Sequence, residues 1–171
     1  NNTWEFDRVC VCRGLGAAEA FPDLRGVRGE LLELHAPEVT LQQPVRIMHP
    51  RYPLYIVPRP DHHFLVGATT IEGHDCSPIS VRSALELLSA ACTIHPGFAE
   101  ARIVESRVNC RPAFPDNLPR IDAKPGMIRV NGLYRHGFHL SPILLHRELA
   151  RIHGTGKKDA TRQTTYADTA Q

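Results

Sequence analysis

The first half of the chain alternates apolar and polar residues at the two-residue period of extended strands. Phe6–Cys12 alternates in this way and then breaks at Arg13–Ala17, which predicts a short strand that ends in a glycine turn. Val27–His35 is a second extended segment. Further strands are predicted at Val45–His49, Leu54–Pro58 and Phe64–Ala68. The Pro60–His63 break between the last two predicts a hairpin.

The second half adds two helical patterns. Ser80–Ile94 carries apolar residues at helical spacing, which predicts one buried stripe made of Val81, Ala84, Leu85, Leu88, Ala91 and Cys92. A strand is predicted at Arg102–Asn109, then a proline-rich turn from Arg111 to Pro119, then a short strand at Met127–Val130. A last helix is predicted to begin at Ser141-Pro142, because proline suits the first helical position, and to run to about Ile152.

This order of elements predicts an α+β fold. We expect a mixed, largely antiparallel sheet with a central amphipathic helix and a carboxyl-terminal helix, since the strands do not alternate regularly with helices. Beyond His153 the chain is polar and without periodicity, so residues 154–171 are predicted to form a mobile tail.

Composition and charge exclude several partners. The chain is 42% hydrophobic and 22% charged, which is ordinary for a globular protein. Its 20 basic residues are spread among 18 acidic ones, for a net charge of +2, so we expect no nucleic-acid partner. There is no apolar run of the ~18 residues that a membrane helix needs, and residues 1–7 do not resemble a signal peptide. We therefore expect no membrane association and a cytoplasmic protein.

Cysteine and histidine could indicate disulfides or metal. The five cysteines are not spaced as a metal knuckle, and we expect reduced thiols. A disulfide-stapled secreted domain is the alternative. His139, His146 and His153 recur every seven residues, yet successive side chains on a helix would lie ~10 Å apart along the axis, too far to share one ion. We expect no native metal site.

Three groups of segments, in this order along the chain, carry a family resemblance. They are Arg25–Glu30 (RGVRGE); Tyr55–Arg59 followed by Val66–Thr69; and Arg111-Pro112 with Asp116–Ile121 and Asn131–Phe138. Together they resemble the D-amino-acid-oxidase superfamily of FAD-dependent enzymes, and within it the glycine oxidase branch of thiamine biosynthesis.

The resemblance implies a small-molecule site with four substrate-binding residues. Arg111 matches an arginine that binds the substrate carboxylate, for which a planar guanidinium offers two parallel donors. Tyr55 matches a tyrosine whose hydroxyl contacts the bound acid, and Arg135 matches a second arginine beside the flavin. Thr70 stands where the family lines the small substrate pocket. No residue of the chain is expected to be catalytic, because the cofactor carries the chemistry.

The resemblance also implies two segments that contact the flavin. Arg13–Ala17 resembles the glycine turn that ends the last strand of a Rossmann-type FAD domain. Tyr134–Leu140 resembles the loop along the isoalloxazine edge before a helix, whose amino terminus carries partial positive charge. The implied cofactor contacts are Arg13, Gly14, Gly16, Arg135, His136, Gly137, Phe138, His139 and Leu140.

Domain organisation follows from the same resemblance. Residues 1–24 are expected to be a remnant of the FAD-binding domain, residues 25–126 the substrate-binding domain, and residues 127–153 a return strand and helix of the FAD domain. The G-x-G-x-x-G fingerprint is absent from the sequence. We therefore expect a fragment, with the amino-terminal FAD-binding half supplied by the same gene or by another chain.

The implied activity is FAD-dependent oxidative deamination of a small, glycine-like amino acid to an imine and 2-oxo acid, with hydrogen peroxide as the second product. A sarcosine-oxidase-like or D-amino-acid-oxidase-like enzyme is an alternative. Another is a non-catalytic truncated domain that associates with a second chain or forms a homo-oligomer.

Overall fold

A computed structural model describes residues 6–48, 50–51 and 53–153. These residues divide into two compact units. Unit one contains the described parts of Asn1–Gly26 and Arg111–Gln171, and unit two contains Val27–Cys110.

The strands are β1 (Val9–Val11), β2 (Arg25–His35), β3 (Val45–Ile47), β4 (Leu54–Pro58), β5 (His63–Gly67), β6 (Ile71–Glu72), β7 (Arg102–Ala113), β8 (Arg120–Lys124) and β9 (Met127–Asn131); the helices are α1 (Val81–Ile94) and α2 (Gly137–His153).

The α+β prediction is confirmed. Unit two contains the larger sheet, in the order β3-β4-β5-β2-β6, with β7 also pairing with β2. The pairs β3–β4, β4–β5, β2–β5 and β2–β6 are all antiparallel. β6 is missing from the sequence prediction, because two residues are too few to show a period. The predicted first strand of the β3–β4 pair extended to His49, which lies outside the described residues.

The predicted hairpin is confirmed as β4–β5. Arg59 N donates to His63 O at 2.7 Å, and His63 N donates to Pro60 O at 3.3 Å. Asp61 and His62 at the tip have φ of 57° and 58°, the pair of positive values that a type I′ turn requires. This turn twists in the same sense as the two strands and so fixes their register.

One face of this sheet packs on α1 to form the core of unit two. The alternate residues that point to the helix are buried, and they interlock with side chains of α1 and with Phe98 of the 3-10 turn Pro96–Glu100. The buried strand residues of this core are Leu32, Leu34, Leu54, Ile56, Phe64 and Val66. The period-two burial explains why the strands were visible in the sequence.

The predicted buried stripe of α1 is confirmed only in part. Ala91 is fully buried and Leu88 packs against the core of unit two, but Val81 is 77% exposed and Leu85 is 60% exposed. Leu87, which is outside the predicted stripe, is fully buried. Ser83 also lies on the buried face, and its hydroxyl bonds to the carboxylate of Glu30. The buried face is therefore turned partly away from the one that apolar spacing alone indicates.

Unit one contains a three-stranded sheet in the order β1-β9-β8, in which β1 and β9 are parallel and β8 and β9 are antiparallel. A small core of Ala17, Phe21, Leu24 and Phe114 accompanies it. β8 was not predicted, because its short apolar content follows a proline-rich stretch. Since β8 pairs with β9, residues 111–126 belong to unit one, whereas the sequence placed them with the substrate domain. The functional assignment of the two units stays a prediction.

The start predicted for the last helix is wrong, because α2 begins at Gly137 and Pro142 lies inside it. Proline cannot donate the hydrogen bond of its turn. The Ser141 hydroxyl donates to the Gly137 carbonyl, four residues before it, which adds a polar contact in that turn. The predicted mobile tail, residues 154–171, lies outside the described residues.

Candidate functional site

Unit one brings together three segments that are far apart in the chain. Tyr134 N donates to Pro112 O at 3.1 Å, and Asn131 Nδ2 donates to Gly14 O at 2.8 Å. The first bond joins the loop before α2 to the strand segment that carries Arg111. The second joins the end of β9 to the glycine turn after β1. The predicted flavin-contacting segments are therefore neighbours, and Arg111 lies beside them.

Glycine is required at Gly132, where this arrangement turns. Its φ is +75°, and an added Cβ would overlap the ring of Phe114. Gly132 N donates to Asn131 Oδ1 at 2.8 Å, so Asn131 holds both the turn and Gly14. Gly14 also has a positive φ, +55°, in the 3-10 turn Gly14–Ala17. At both positions the backbone has a positive φ, which glycine adopts without strain and residues with a side chain do not.

Two guanidinium groups accompany this junction. Arg111 is half-buried in β7 and precedes Pro112, the acceptor of the Tyr134 bond. Arg135 is half-buried and follows Tyr134, whose φ is +49°. Partial burial strengthens the attraction of a guanidinium for a carboxylate, because water screens it less. The junction therefore joins two segments that each carry a half-buried arginine.

The amino terminus of α2 continues from this loop. His136 N donates to Leu133 O at 2.9 Å, and His136 O accepts from Leu140 N at 2.9 Å, which begins the helix. The first N–H groups of a helix have no partner within it and carry partial positive charge. Phe138 is 93% exposed in this turn. The Phe138 ring and the backbone N–H groups of the first turn of α2 therefore lie in the same exposed segment.

Unit two contains the other two predicted substrate residues. Tyr55 lies on β4, paired with Arg46 on one side and with Gly67 on the other, and the Arg46 guanidinium stands 5.9 Å from the centre of its ring. Among the residues that the structure describes, the Thr70 hydroxyl oxygen is buried without a hydrogen-bond partner. An unpaired buried hydroxyl costs about 1–3 kcal/mol. Such a group is ready to bond a ligand.

A buried ionic network fixes the segment that precedes Thr70. Arg28 Nη2 stands 2.7 Å from Glu30 Oε1, and both side chains are buried. Thr69 Oγ1 donates to Glu30 Oε2 at 3.0 Å, and Thr69 N donates to Glu30 O at 3.1 Å. Burial raises the pKa of Glu30, but hydrogen bonds, among them those from Ser83 and Arg28, outweigh it and hold that pKa below its usual value.

The same network holds a loop on the opposite side of Arg28. Its guanidinium donates to Asp75 O at 2.7 Å and to Pro78 O at 2.8 Å. Sequence reasoning recognised Arg28 and Glu30 only as letters of a family motif. The available signal was a pair of opposite charges two apart in a strand, because such a pair shares one face.

Three further results bear on the sequence predictions. In the part of the chain that the structure describes, no cluster of three or more metal-ligating side chains occurs. No helix over those residues is long and apolar enough to cross a membrane. All five cysteines are free thiols.

Comparison with known proteins places this geometry in a family. The family model for FAD dependent oxidoreductases (DAO) matches residues 1–146. A Rhizobium etli protein named as the thiamine biosynthesis oxidoreductase ThiO is 52% identical over 140 residues, which is 82% of this chain and 43% of that protein.

Solved structures give the same result. Glycine oxidase from Geobacillus kaustophilus superposes with a TM-score of 0.72 at 28% identity, covering 88% of this chain and 43% of that one. Iminodiacetate oxidase from Chelativorans sp. BNC1 gives 0.73 at 28% identity, covering 92% and 45%. The chain spans less than half the length of these relatives. The chain belongs to the DAO family of FAD dependent oxidoreductases, of the ThiO and glycine oxidase type.

Proposed function

We propose that the protein takes part in FAD-dependent oxidative deamination of a small amino acid, glycine or a close relative, with release of hydrogen peroxide. The observation that carries this proposal is the junction in unit one. There the bond from Tyr134 N to Pro112 O, 3.1 Å long, sets Arg111 beside the loop that leads into α2. A carboxylate-binding group next to a flavin-binding loop is the arrangement that an amino-acid oxidase needs.

Arg111 is proposed to bind the substrate carboxylate. It is held by β7 and is half-buried, so its side chain has fewer conformations to lose when it binds an anion. The guanidinium offers two parallel donors to one carboxylate, whereas lysine offers a point charge. Binding by this fork fixes the substrate's orientation, which is the main contribution that protein side chains make here.

The residues of unit one fit a flavin. Gly14 and Gly16 in the turn after β1 keep the backbone open to close approach, and neither would bring a Cβ closer than 3.7 Å to another atom. The α2 amino terminus supplies N–H donors, and Arg135 supplies positive charge near it. Together with Arg13 and with the segment His136–Leu140, these residues would hold the edge of the cofactor. When bound, FAD would supply the two-electron oxidation of the substrate and the reduction of dioxygen to hydrogen peroxide.

Tyr55 and Thr70, which both lie in unit two, are proposed as substrate-binding residues on the strength of the family resemblance. The Tyr55 hydroxyl can donate to a carboxylate oxygen. The buried Thr70 hydroxyl, which has no partner among the described residues, can bond a polar group of a small ligand. The Arg28–Glu30–Thr69 network keeps the backbone before Thr70 in one place.

The test is a kinetic comparison of two arginine variants on the same strand. Arg111→Lys keeps the charge and removes the fork, so KM for glycine should rise about 10- to 100-fold, equivalent to roughly 1.4–2.7 kcal/mol. Arg102→Lys, at the exposed start of β7, is the matched control and should leave KM unchanged. Retained flavin absorbance after incubation with FAD and desalting verifies loading in each case.

Two outcomes would contradict the proposal. Peroxide production with no dependence on any small amino acid would remove the deaminase assignment. An equal KM for wild-type and Arg111→Lys protein would remove Arg111 from the site. Sarcosine, iminodiacetate and D-alanine, assayed beside glycine, decide which substrate the pocket favours.

A further inference from the structure

Two cysteines in unit two lie in contact. Cys76 Sγ and Cys110 Sγ are 3.3 Å apart, although the residues are far apart in the chain. Cys76 is exposed in the loop before α1, and Cys110 is 9% exposed near the end of β7. Both thiols are free. One accessible and one protected sulfur in contact is the arrangement of an oxidisable pair with a resolving thiol.

The Cys76 loop is held in place by the buried ionic network. Arg28 Nη1 donates to Asp75 O at 2.7 Å, directly before Cys76, and Arg28 Nη2 donates to Pro78 O at 2.8 Å, two residues after it. The Cys110 thiol points at the same loop, with Asp75 O at 3.5 Å and Gly73 O at 3.6 Å. The loop that carries Cys76 is held by Arg28, and Cys110 lies in strand β7. Only a small rearrangement is therefore needed to bring the two sulfurs from contact to bonding distance.

The surroundings distinguish the two thiols. Burial, with the neighbouring Cys76 sulfur, raises the pKa of Cys110 above its ordinary value. A buried, protonated thiol reacts slowly with an oxidant in solution. Cys76 is the sulfur that an oxidant can reach, and Cys110 is the sulfur placed to react with the product.

We propose that Cys76 and Cys110 form a reversible disulfide when the protein meets hydrogen peroxide. The Cys76 thiolate attacks one peroxide oxygen, the O–O bond breaks and hydroxide leaves, which gives a sulfenic acid at Cys76. The Cys110 sulfur then attacks the Cys76 sulfur, an S–S bond forms, the S–O bond breaks, and the departing hydroxide takes up the Cys110 proton as water. One peroxide is reduced by two electrons and the two thiols are oxidised by two.

The oxidant connects this pair to the proposed function, because an amino-acid oxidase releases peroxide at each turnover; that connection rests on the proposed function. The formation of the Cys76–Cys110 disulfide does not rest on the proposed function. Added hydrogen peroxide tests the disulfide whether or not the protein oxidises an amino acid, so the two proposals fail separately.

The experiment exposes the purified protein to excess hydrogen peroxide, alkylates the remaining thiols under denaturing conditions and maps peptides by mass spectrometry. We expect loss of free thiol at Cys76 and Cys110 in most chains and a linked peptide joining the two. Dithiothreitol should restore both thiols. The Cys10→Ser/Cys12→Ser variant is the matched control, because it removes the other close pair, 3.8 Å apart, and should leave the link unchanged.

Single variants determine the order of the steps. In Cys110→Ser the sulfenic acid at Cys76 should persist and be trapped by dimedone, and in Cys76→Ser the buried Cys110 should stay reduced. The proposal is overturned if wild-type Cys76 proceeds to sulfinic acid without a linked peptide. It is equally overturned if Cys110 is oxidised in Cys76→Ser as fast as in the wild type.

Discussion

Gly132 lies where the end of β9 turns towards the loop that precedes α2. Its φ of +75° and the nearby Phe114 ring act together, because the first disfavours any side chain and the second occupies the place of a Cβ. Gly126 shares the same φ of +75°, but a Cβ there would meet only Asp7 O at an ordinary 3.8 Å. A comparison of Gly132 with Gly126 therefore distinguishes the cost of the positive φ from the cost of steric overlap with Phe114.

We predict that Gly132→Ala lowers the free energy of unfolding by about 2–5 kcal/mol, since a positive φ costs about 1–2 kcal/mol and overpacking adds about 1–3. Gly126→Ala should cost only the backbone part, about 1–2 kcal/mol. Urea denaturation of both variants measures the difference. Equal losses would mean that the Phe114 ring moves aside freely.

Sequence reasoning at the scale of single residues found positions but not their partners. Arg111 and the segment Asn131–Phe138 were placed in one site by resemblance, and unit one joins them through Pro112 and Tyr134. The roles of Arg111, Arg135, Tyr55 and Thr70 stay predictions. The bonds from Glu30 to Thr69 and Ser83 could not be foreseen, because nothing local in the sequence specifies a contact between residues so far apart.

α1 shows the limit of apolar spacing as a guide to the buried face of a helix. Leu85 and Leu87 are the same residue type on one helix, yet the first is 60% exposed and the second is fully buried in the core of unit two. Apolar spacing favoured the face of Leu85. The buried Ser83, whose hydroxyl bonds to Glu30, lies on the same face as Leu87.

We predict that Leu87→Ala lowers the free energy of unfolding by about 2–5 kcal/mol, the cost of a cavity in a packed core. Leu85→Ala should change it by less than about 0.5 kcal/mol, because the side chain is largely in water already. Thermal or urea unfolding of the two variants provides the comparison. A larger loss for Leu85→Ala would contradict the observed helix face.

At the level of elements, strong local patterns were predictable and weak ones were not. The β4–β5 hairpin was predictable because its turn and both strands carry clear signals within one short stretch. β8 was not, although β9 follows it after a two-residue turn, because its five residues include only two apolar ones, Ile121 and Ala123, and follow a proline-rich stretch. The start of α2 was misplaced because Pro142 is a starting signal in isolation, whereas the loop before it already provides a helical turn from Gly137.

The stability of the whole molecule should depend on pH through Glu30. Its pKa lies below the usual value in the folded protein, because hydrogen bonds outweigh burial. The unfolded chain therefore binds a proton at this site at a higher pH than the native state does. The stabilisation is present above about pH 4.3, the ordinary glutamate value, and is lost as pH falls through the lower native value.

We predict that Glu30→Gln is less stable than wild type by about 3–5 kcal/mol near neutral pH, since it removes the buried anion of Arg28 and leaves only the exposed carboxylate of Asp75, 3.2 Å from Nη1. The difference should shrink as pH is lowered, because wild-type Glu30 then becomes neutral as well. Urea unfolding between about pH 3 and pH 7 measures it, with Glu38→Gln at an exposed carboxyl as control. A difference that stays constant with pH would contradict the assigned pKa direction.

The division into units also determines the order in which parts of the molecule become available during synthesis. Unit two is one continuous stretch, Val27–Cys110, so a ribosome that has released Cys110 has released α1 and the strands of that unit, with β7 complete except for its last three residues, Arg111–Ala113. Unit one is interrupted by it. Val9 of β1 pairs with Met127 of β9, and these strands can meet only after the whole of unit two has left the exit tunnel. The glycine turn after β1 must therefore wait for Asn131, the residue that holds its Gly14 carbonyl.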